Sequence, residues 1–191
     1  MTKLTRSFYQ KPAAEIAKEF LGKYLIYNSH KGLISGMITD VEAYPAFSDE
    51  VSHGNKRTKR TEIMYKEGGY AYVYVIYGIH HQFAVVVNKQ NIPEVVFIRA
   101  ATPKEGIKIM KENFSRPIRD INEMTKSPGN LCKSFGIDLS LYGEDLTKDK
   151  IFLEDRGVKI NSEQILSDKR IGIDTKLNGS KYKLRFFLKG V

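Results

Sequence analysis

Apolar and polar residues alternate most regularly near the middle of the chain. From Tyr70 to Ile76 every second position carries a tyrosine or isoleucine, with small apolar residues between them. This two-residue period predicts a strand with one tyrosine-rich face. A second apolar run, Phe83 to Val87, follows closely, so the two runs are expected to form a hairpin around Tyr77-Gly78-Ile79. Tyr77 then lies at the tip, where its ring either folds back onto its own sheet or is available as a wedge.

Helical spacing is clearest near the start of the chain. Pro12 at a first helical position, apolar residues at helical spacing and Gly22 as a stop predict an amphipathic helix of about ten residues. The runs Lys23 to Tyr27 and Leu33 to Val41 are separated by a turn-rich spacer, which predicts a second hairpin.

The rest of the chain mixes strands with short helices. Val95 to Ala101 is expected to be a strand, and Thr102-Pro103-Lys104-Glu105 has the pattern of an N-cap, an N1 proline and a capping-box glutamate, which predicts a helix to about Asn113. Ser127-Pro128-Gly129 introduces a short helix, Asn130 to Phe135, that Gly136 stops. Short strands are predicted in the last third of the chain, at Ile151 to Leu153, Ile171 to Ile173 and Leu184 to Leu188.

These elements predict the α+β class. We expect one domain, residues 1–191, in which helices flank a twisted, largely antiparallel sheet with a protruding, aromatic-tipped β-hairpin. No linker and no internal repeat divides the chain.

Two charged residues stand in apolar surroundings. Glu42 ends the apolar approach of the second hairpin, so its carboxylate lies either at a cavity or, more ordinarily, at an exposed strand end. Arg99 lies inside the apolar run from Val96 to Ala100, where a guanidinium needs a carboxylate or a hydrogen-bonded water network. Glu42 is the obvious candidate partner.

A long segment, Pro45 to Lys66, lacks any periodic signal. It contains four positive charges in five residues, and a loop of this length within a domain is usually functional or disordered. The basic cluster favours contact with phosphate, against the alternative of a merely solvated run of charge. Its members are Lys56, Arg57, Lys59 and Arg60.

The overall charge indicates the kind of partner. Lysine and arginine number 31 against 22 acidic residues, which gives a net charge of +9 and favours a polyanion such as nucleic acid. A membrane surface is disfavoured, because the one clear amphipathic helix is only mildly charged. The chain has no apolar run long enough for a span and no signal-peptide core, so an intracellular location is expected. Cys132, the single cysteine, is expected to be a buried apolar residue.

Common catalytic motifs are absent. The nucleotide-loop, dinucleotide and zinc-protease signatures do not occur, and neither does a nucleophile elbow. A metal site from His80, His81, His53 and Glu42 is improbable, because neighbouring residues of a strand point to opposite faces. What remains is a carboxylate and an arginine among aromatic and basic residues, which suits a reaction on a nucleobase.

Several segments form a joint pattern that, in order and spacing, covers nearly the whole chain. They are Asp40-Val41-Glu42-Ala43-Tyr44, Asp49-Glu50-Val51-Ser52-His53, Tyr72-Val73-Tyr74-Val75-Ile76-Tyr77-Gly78, Ile98-Arg99-Ala100, Pro103-Lys104-Glu105-Gly106, Pro128-Gly129-Asn130-Leu131-Cys132, Arg170-Ile171-Gly172-Ile173 and Leu184-Arg185-Phe186. Together these segments resemble the alkyladenine (3-methyladenine, or methylpurine) DNA glycosylase family.

The resemblance implies a role for each matching position. Glu42 matches the general base that deprotonates the attacking water, and Arg99 and the backbone carbonyl of Ile171 match the groups that hold this water. Tyr44, His53 and Tyr74 match the residues that bind the flipped base, and Tyr77 matches the side chain that fills the gap in the duplex. Two positions depart from the family: Ala84, in the base pocket, replaces the usual Asn, and Asn130 replaces a Lys found in many members.

The expected function follows from this resemblance. The protein should be a monofunctional glycosylase that excises alkylated or deaminated purines from double-stranded DNA, as a monomer, with no metal or other cofactor and no lyase activity. Its location would be the cytoplasm or nucleoid of a bacterium, or the nucleus of a eukaryote. The alternative from another class is a non-catalytic module that binds damaged DNA or RNA, against which the retained Glu42 and Arg99 argue.

Overall fold

The computed structural model describes residues 1–47 and 49–190, and nine strands form one antiparallel sheet in them. The strands are β1 (Thr2–Lys3), β2 (Tyr24–Ser29), β3 (Gly32–Tyr44), β4 (Ala71–Ile76), β5 (His80–Val87), β6 (Glu94–Glu105), β7 (Ile151–Asp155), β8 (Ile165–Asp168) and β9 (Arg185–Leu188). Their order is β1-β7-β2-β3-β6-β5-β4, and β9 pairs with both β3 and β8. The long strand β3 therefore lies at the centre and carries Glu42.

Three α-helices accompany the sheet: α1 (Ala13–Phe20), α2 (Ile107–Phe114) and α3 (Pro128–Phe135). In α1 the residues Ala13, Ile16, Ala17 and Phe20 form one buried face, as their spacing predicts. Pro12 is its N-cap, and the buried Glu94 accepts a hydrogen bond from the N–H of Ala13 at 2.7 Å. None of the described helices is long and apolar enough to span a membrane.

The central strands are buried on both faces. Along β5, Phe83, Val85 and Val87 belong to the main core, which also holds the buried faces of the three helices. Ala84 and Val86 belong to a second, smaller cluster on the opposite face. Ile63 and Met64 of the segment between β3 and β4 join this second cluster, so part of that long loop packs over the face that carries Glu42.

The predicted fold class is confirmed, and several predicted elements lie where the pattern placed them. The tyrosine-rich strand pairs antiparallel with β5, and β2 pairs with β3 around a tight connection. Ser127 caps α3, and Gly136 ends this helix with a positive φ of 72°. Cys132 is buried, and burial raises the pKa of its thiol.

The predicted start of the second helix is wrong. Thr102 to Glu105 continue β6, and α2 begins only after Gly106, whose φ is +73°. Thr102, Pro103 and Glu105 each pair with a residue of β3, so pairing in the sheet overrides the local capping pattern. A Cβ at Gly106 would lie 2.4 Å from the carbonyl oxygen of Leu33, so glycine fits this turn both conformationally and sterically.

The predicted strand at Ile171 to Ile173 is also wrong. These residues lie in turns and irregular chain between β8 and β9, and Ile171 is half exposed. Besides β3, β9 pairs with β8, whose four residues are exposed apart from the half-buried Ile165, so β8 has no alternating burial pattern.

The connection between β4 and β5 places Tyr77 at its tip. Ile76 pairs with His80, and both Tyr77 and Gly78 have positive φ values, 51° and 72°. Such values are typical of the primed turns that join twisted strands, but they are unfavourable for a tyrosine. The side chain of Tyr77 is not folded back, since the residue is 88% exposed.

Candidate active site

The sheet register brings the candidate residues onto one face. Glu42 of β3 pairs with Phe97 of β6, Phe97 pairs with Ala84 of β5, and Ala84 pairs with Tyr72 of β4. Residues two positions away along each strand share this face. The four strands β3, β6, β5 and β4 therefore contribute to the site. In addition to the four paired residues, they place Tyr44, Arg99, Gln82 and Tyr74 on this face.

The carboxylate of Glu42 is fully buried and has three partners. Its Oε1 accepts a hydrogen bond from the N–H of Ile171 at 2.8 Å and lies 3.0 Å from Nη1 of Arg99. Its Oε2 accepts a hydrogen bond from the Tyr44 hydroxyl at 2.9 Å. Burial raises the pKa of Glu42, and Arg99, Ile171 and Tyr44 oppose this rise because each favours the ionised form.

Arg99 is held by a second carboxylate. Its Nε lies 3.9 Å from Asp40, which lies two residues before Glu42. Asp40 in turn accepts hydrogen bonds from Nε and Nη2 of Arg185 on β9. The predicted pairing of Arg99 with Glu42 is thus present, and it belongs to an alternating chain of two carboxylates and two guanidinium groups.

A cavity of about 580 Å³ adjoins this carboxylate. Glu42 does not line it, but Tyr44, Arg99 and Ile171, which contact Glu42, all do. The other lining residues are Val51, His53, Arg60, Tyr72, Tyr74, Val75, Ile76, Tyr77, Gln82, Ala84, Val95, Phe97, Pro128, Gly172 and Ile173. The cavity therefore extends from the Glu42 partners to the hairpin tip.

Aromatic rings form much of the cavity wall. Tyr74 stacks on Tyr72 with ring centres 5.0 Å apart, and His53 meets Tyr74 edge-on at 5.1 Å. Partial burial and the positive charge of Arg60 lower the pKa of His53 to about 4, so this imidazole is neutral at neutral pH. Burial also raises the pKa values of Tyr44 and Tyr74, which keep their hydroxyl protons.

Ala84 lies in the cavity wall, 1% exposed, between Tyr72 and Phe97 in the register. Gln82, two residues earlier on the same face, is also buried and donates from Nε2 to the backbone oxygen of His81. The small side chain at position 84 leaves space in this wall that a larger residue would fill.

The basic cluster does not act as one surface. Lys56 and Lys59 are exposed. Arg57 forms an ion pair with Glu62, with Nη2 2.6 Å from Oε1. Arg60 lies in the cavity wall, where its Nε donates to the Tyr72 hydroxyl at 3.2 Å and its guanidinium lies 5.0 Å from the centre of the Tyr74 ring. A phosphate contact from Arg60 would need another side-chain position.

Asn130 forms hydrogen bonds within the protein. Its Nδ2 donates to the backbone oxygen of Glu123 at 2.9 Å, and its N–H donates to the capping Ser127 side chain. The amide thus ties α3 to the preceding segment in the free protein.

Tyr72, Phe97, Gln82 and the cavity position of Arg60 were not foreseen from the sequence. The signal for Tyr72 was present, since it shares the face of Tyr74 in the alternating run. The placement of Arg60 had no local signal, because it depends on how the loop folds onto β4.

Sequence comparison relates this chain to known proteins. The sequence model of the family described as Methylpurine-DNA glycosylase (MPG) matches residues 7–191. A protein of Natranaerobius thermophilus is 41% identical over 98% of this chain and 96% of its own length, and one of Clostridium novyi is 40% identical over 99% and 96%. A protein of Bacillus subtilis is 38% identical over 96% and 92%. All three are named "Putative 3-methyladenine DNA glycosylase".

The family match covers nearly the whole chain, including every strand that contributes to the cavity. This chain belongs to the methylpurine-DNA glycosylase family.

Proposed function

We propose that this protein excises alkylated and deaminated purines, of the 3-methyladenine, 7-methylguanine, hypoxanthine and ethenoadenine class, from double-stranded DNA by flipping the nucleotide and activating a water. One observation carries the proposal. A fully buried carboxylate, Glu42, is held by Arg99, Tyr44 and Ile171 at the end of an aromatic cavity that reaches an exposed tyrosine.

The contacts of Glu42 indicate which oxygen takes the proton. A carboxylate oxygen has two lone pairs, and Oε1 already faces both Ile171 and Arg99. Oε2 has the Tyr44 hydroxyl alone. Oε2 therefore has the free lone pair that can accept a proton from the water.

The reaction replaces one bond by another. Water attacks the anomeric carbon, the bond from this carbon to the purine nitrogen breaks, and Glu42 takes the water proton. The negative charge of Glu42 also stabilises the positive charge that develops on the sugar, and Arg99 and the carbonyl of Ile171 hold the water. A cationic alkylpurine leaves as a neutral base, whereas hypoxanthine needs a proton or a hydrogen bond from another donor.

The aromatic wall binds the extruded base. Tyr44, His53 and Tyr74 line the cavity, and a purine ring can stack against the tyrosines while the neutral His53 accepts or donates one hydrogen bond. Electron-rich tyrosine rings attract cationic alkylpurines, by about 0.5–2 kcal/mol for a typical pair of this kind. The wall therefore favours alkylated bases over normal ones.

Tyr77 fills the space that the flipped nucleotide leaves. Its ring is exposed, lines the cavity mouth and sits on a backbone with positive φ. Inserted aromatic or apolar side chains repay part of the unstacking cost in proteins that distort DNA. Lys56 and Lys59 are exposed on the adjoining loop, from which they supply phosphate contacts. Arg57 and Arg60 supply theirs once their side chains leave Glu62 and Tyr72.

The test uses duplexes that carry one hypoxanthine or one 3-methyladenine, incubated with the protein in EDTA. We expect alkali-labile abasic sites at the lesion and none in the undamaged duplex. Borohydride should trap no covalent complex, because water and not an amine is the nucleophile. Lesion binding without abasic sites would indicate a non-catalytic module, and activity that EDTA abolishes would indicate a metal-dependent hydrolase.

A further inference from the structure

Arg170 and Asp49 form a buried ion pair beside the candidate site. Arg170 is 5% exposed and Asp49 1%. Both terminal nitrogens of the guanidinium donate to the Asp49 carboxylate, with 2.9 Å between Nη2 and Oδ1. The same nitrogens donate to the carbonyl oxygens of Ala43 at 3.1 Å and Gly179 at 3.0 Å. One side chain thus joins β3, the loop after it and the segment before β9.

Arg170 is linked to two of the groups that contact Glu42. It directly precedes Ile171, whose N–H donates to Oε1 of Glu42. Its guanidinium lies 4.6 Å from the centre of the Tyr44 ring, and the Tyr44 hydroxyl donates to Oε2. Two of the three groups that contact the carboxylate are therefore neighbours of Arg170.

No strand holds Ile171 in place. The chain between Asp168, the end of β8, and Arg185, the start of β9, is irregular apart from one short turn of helix at Asn178–Lys181. Ile171 is half exposed, so packing alone does not fix its backbone. The side chain of the preceding residue, Arg170, is by contrast buried.

We propose that the Arg170–Asp49 ion pair is a positioning device that holds the N–H of Ile171 and the ring of Tyr44 against Glu42. This inference rests on the proposed function, in which Glu42 is the general base. Neither Arg170 nor Asp49 lines the cavity, and the hydrogen bonds of the Arg170 guanidinium go to Asp49, Ala43 and Gly179. A two-point ion pair suits this task because it fixes orientation as well as distance.

A glycine beside the pair allows a milder perturbation. A Cβ at Gly179 would lie 2.3 Å from Oδ1 of Asp49 and 3.2 Å from Nη2 of Arg170. Gly179→Ala therefore displaces the ion pair while keeping both charges. Val51 is also close, with Cγ2 2.7 Å from the added carbon.

The decisive variant is Arg170→Lys, which keeps the positive charge but replaces the two-point contact by a single ammonium group. Arg6→Lys is the matched control. Arg6 also pairs with an aspartate, Asp145, donates to a carbonyl oxygen, that of Gly68, and lies 4.6 Å from a tyrosine ring, that of Tyr70. It does not line the cavity.

The readout is single-turnover excision of a lesion duplex as a function of pH, with the enzyme in excess. In Arg170→Lys the ionised form of Glu42 loses support, so the acid limb should move up by about one pH unit and the rate at neutral pH should fall about tenfold or more. Lesion affinity should fall less than the rate, because only the ring of Tyr44 in the base-binding wall lies against Arg170, and His53 and Tyr74 keep their contacts with each other. The charged or titratable groups that otherwise face Glu42 are unchanged in these variants: Arg99, Asp40, Tyr44, Tyr74 and Arg185.

Gly179→Ala should shift the acid limb in the same direction, but by less. Arg6→Lys should have a lower melting temperature than wild type and the same pH profile. Wild-type acid limbs in both Arg170→Lys and Gly179→Ala would overturn the positioning role. If Arg170→Lys does not fold, Gly179→Ala decides alone. Absence of excision by the wild-type protein would instead overturn the proposed function, and this inference with it.

Discussion

The hydroxyl of Tyr44 offers a sharp test of how Glu42 is tuned. Tyr44→Phe removes the donor to Oε2 but keeps the ring that lies against Arg170. A hydrogen bond to a charged group contributes about 1.5–3 kcal/mol, and about 1.4 kcal/mol corresponds to one pKa unit. Glu42 is 0% exposed, so bulk water does not replace the lost donor, although Arg99 and Ile171 remain. We expect the pKa of Glu42 to rise by about one unit.

The direction in which the pH profile moves follows from the role of Glu42 as the general base. Glu42 acts ionised, so activity is lost as the pH falls through its pKa, and a higher pKa moves this acid limb to higher pH. Single-turnover excision against pH measures the limb. Within the acid limb, the variant should be about tenfold slower than wild type at the same pH, and the two rates should converge at pH values above the limb.

Tyr74→Phe is the control, because it removes a hydroxyl from the same cavity that does not hydrogen-bond to Glu42. Its acid limb should stay close to that of wild type. An acid limb in Tyr44→Phe that is unmoved, or moved to lower pH, would refute the reasoning.

Three further perturbations address the duplex, the pocket and the phosphates. Tyr77→Ser should weaken lesion binding and leave the melting temperature unchanged, since the ring is exposed; a sharp loss of melting temperature with unchanged affinity would show a core residue instead. Ala84→Asn should lower the ratio of the single-turnover rates for 7-methylguanine and hypoxanthine, by a factor equivalent to about 1–3 kcal/mol, because the amide crowds the guanine amino group. An equal change in both rates would count against this reasoning. In the double variant Lys56→Gln/Lys59→Gln, the slope of log affinity against log salt concentration should become shallower by up to about two, for damaged and undamaged duplexes alike. Arg57→Gln should change the slope less, because Arg57 is paired with Glu62. An unaltered slope in the double variant would exclude phosphate contacts by the two lysines.

Local sequence patterns predicted the parts of the site that strands carry. The alternation from Tyr70 to Ile76 placed Tyr74 on the cavity face, and an arginine within an apolar run indicated a carboxylate partner, which is Glu42. Both inferences depend on neighbours along one strand or on the cost of an unpaired buried charge.

The remaining errors arose where distant contacts decide the structure. Thr102 to Glu105 match a capping box, but pairing with β3 extends β6 through them. The chain at Ile171 looks like a strand, but it is fixed through Arg170 and Asp49, which lie 121 residues apart in sequence. Arg60 belongs to a run of four cations, yet contacts with Tyr72 and Tyr74 place it in the cavity wall.

The central claim is that the Glu42 carboxylate activates the water, and Glu42→Gln tests it most directly. The amide keeps the size of the side chain but takes no proton, and the aromatic wall and the exposed hairpin tip are unchanged. The measurement is single-turnover excision of hypoxanthine and 3-methyladenine by wild type and variant, together with lesion affinity. The account predicts retained affinity with a rate about a hundredfold or more below wild type. Excision within a few-fold of wild type would contradict it.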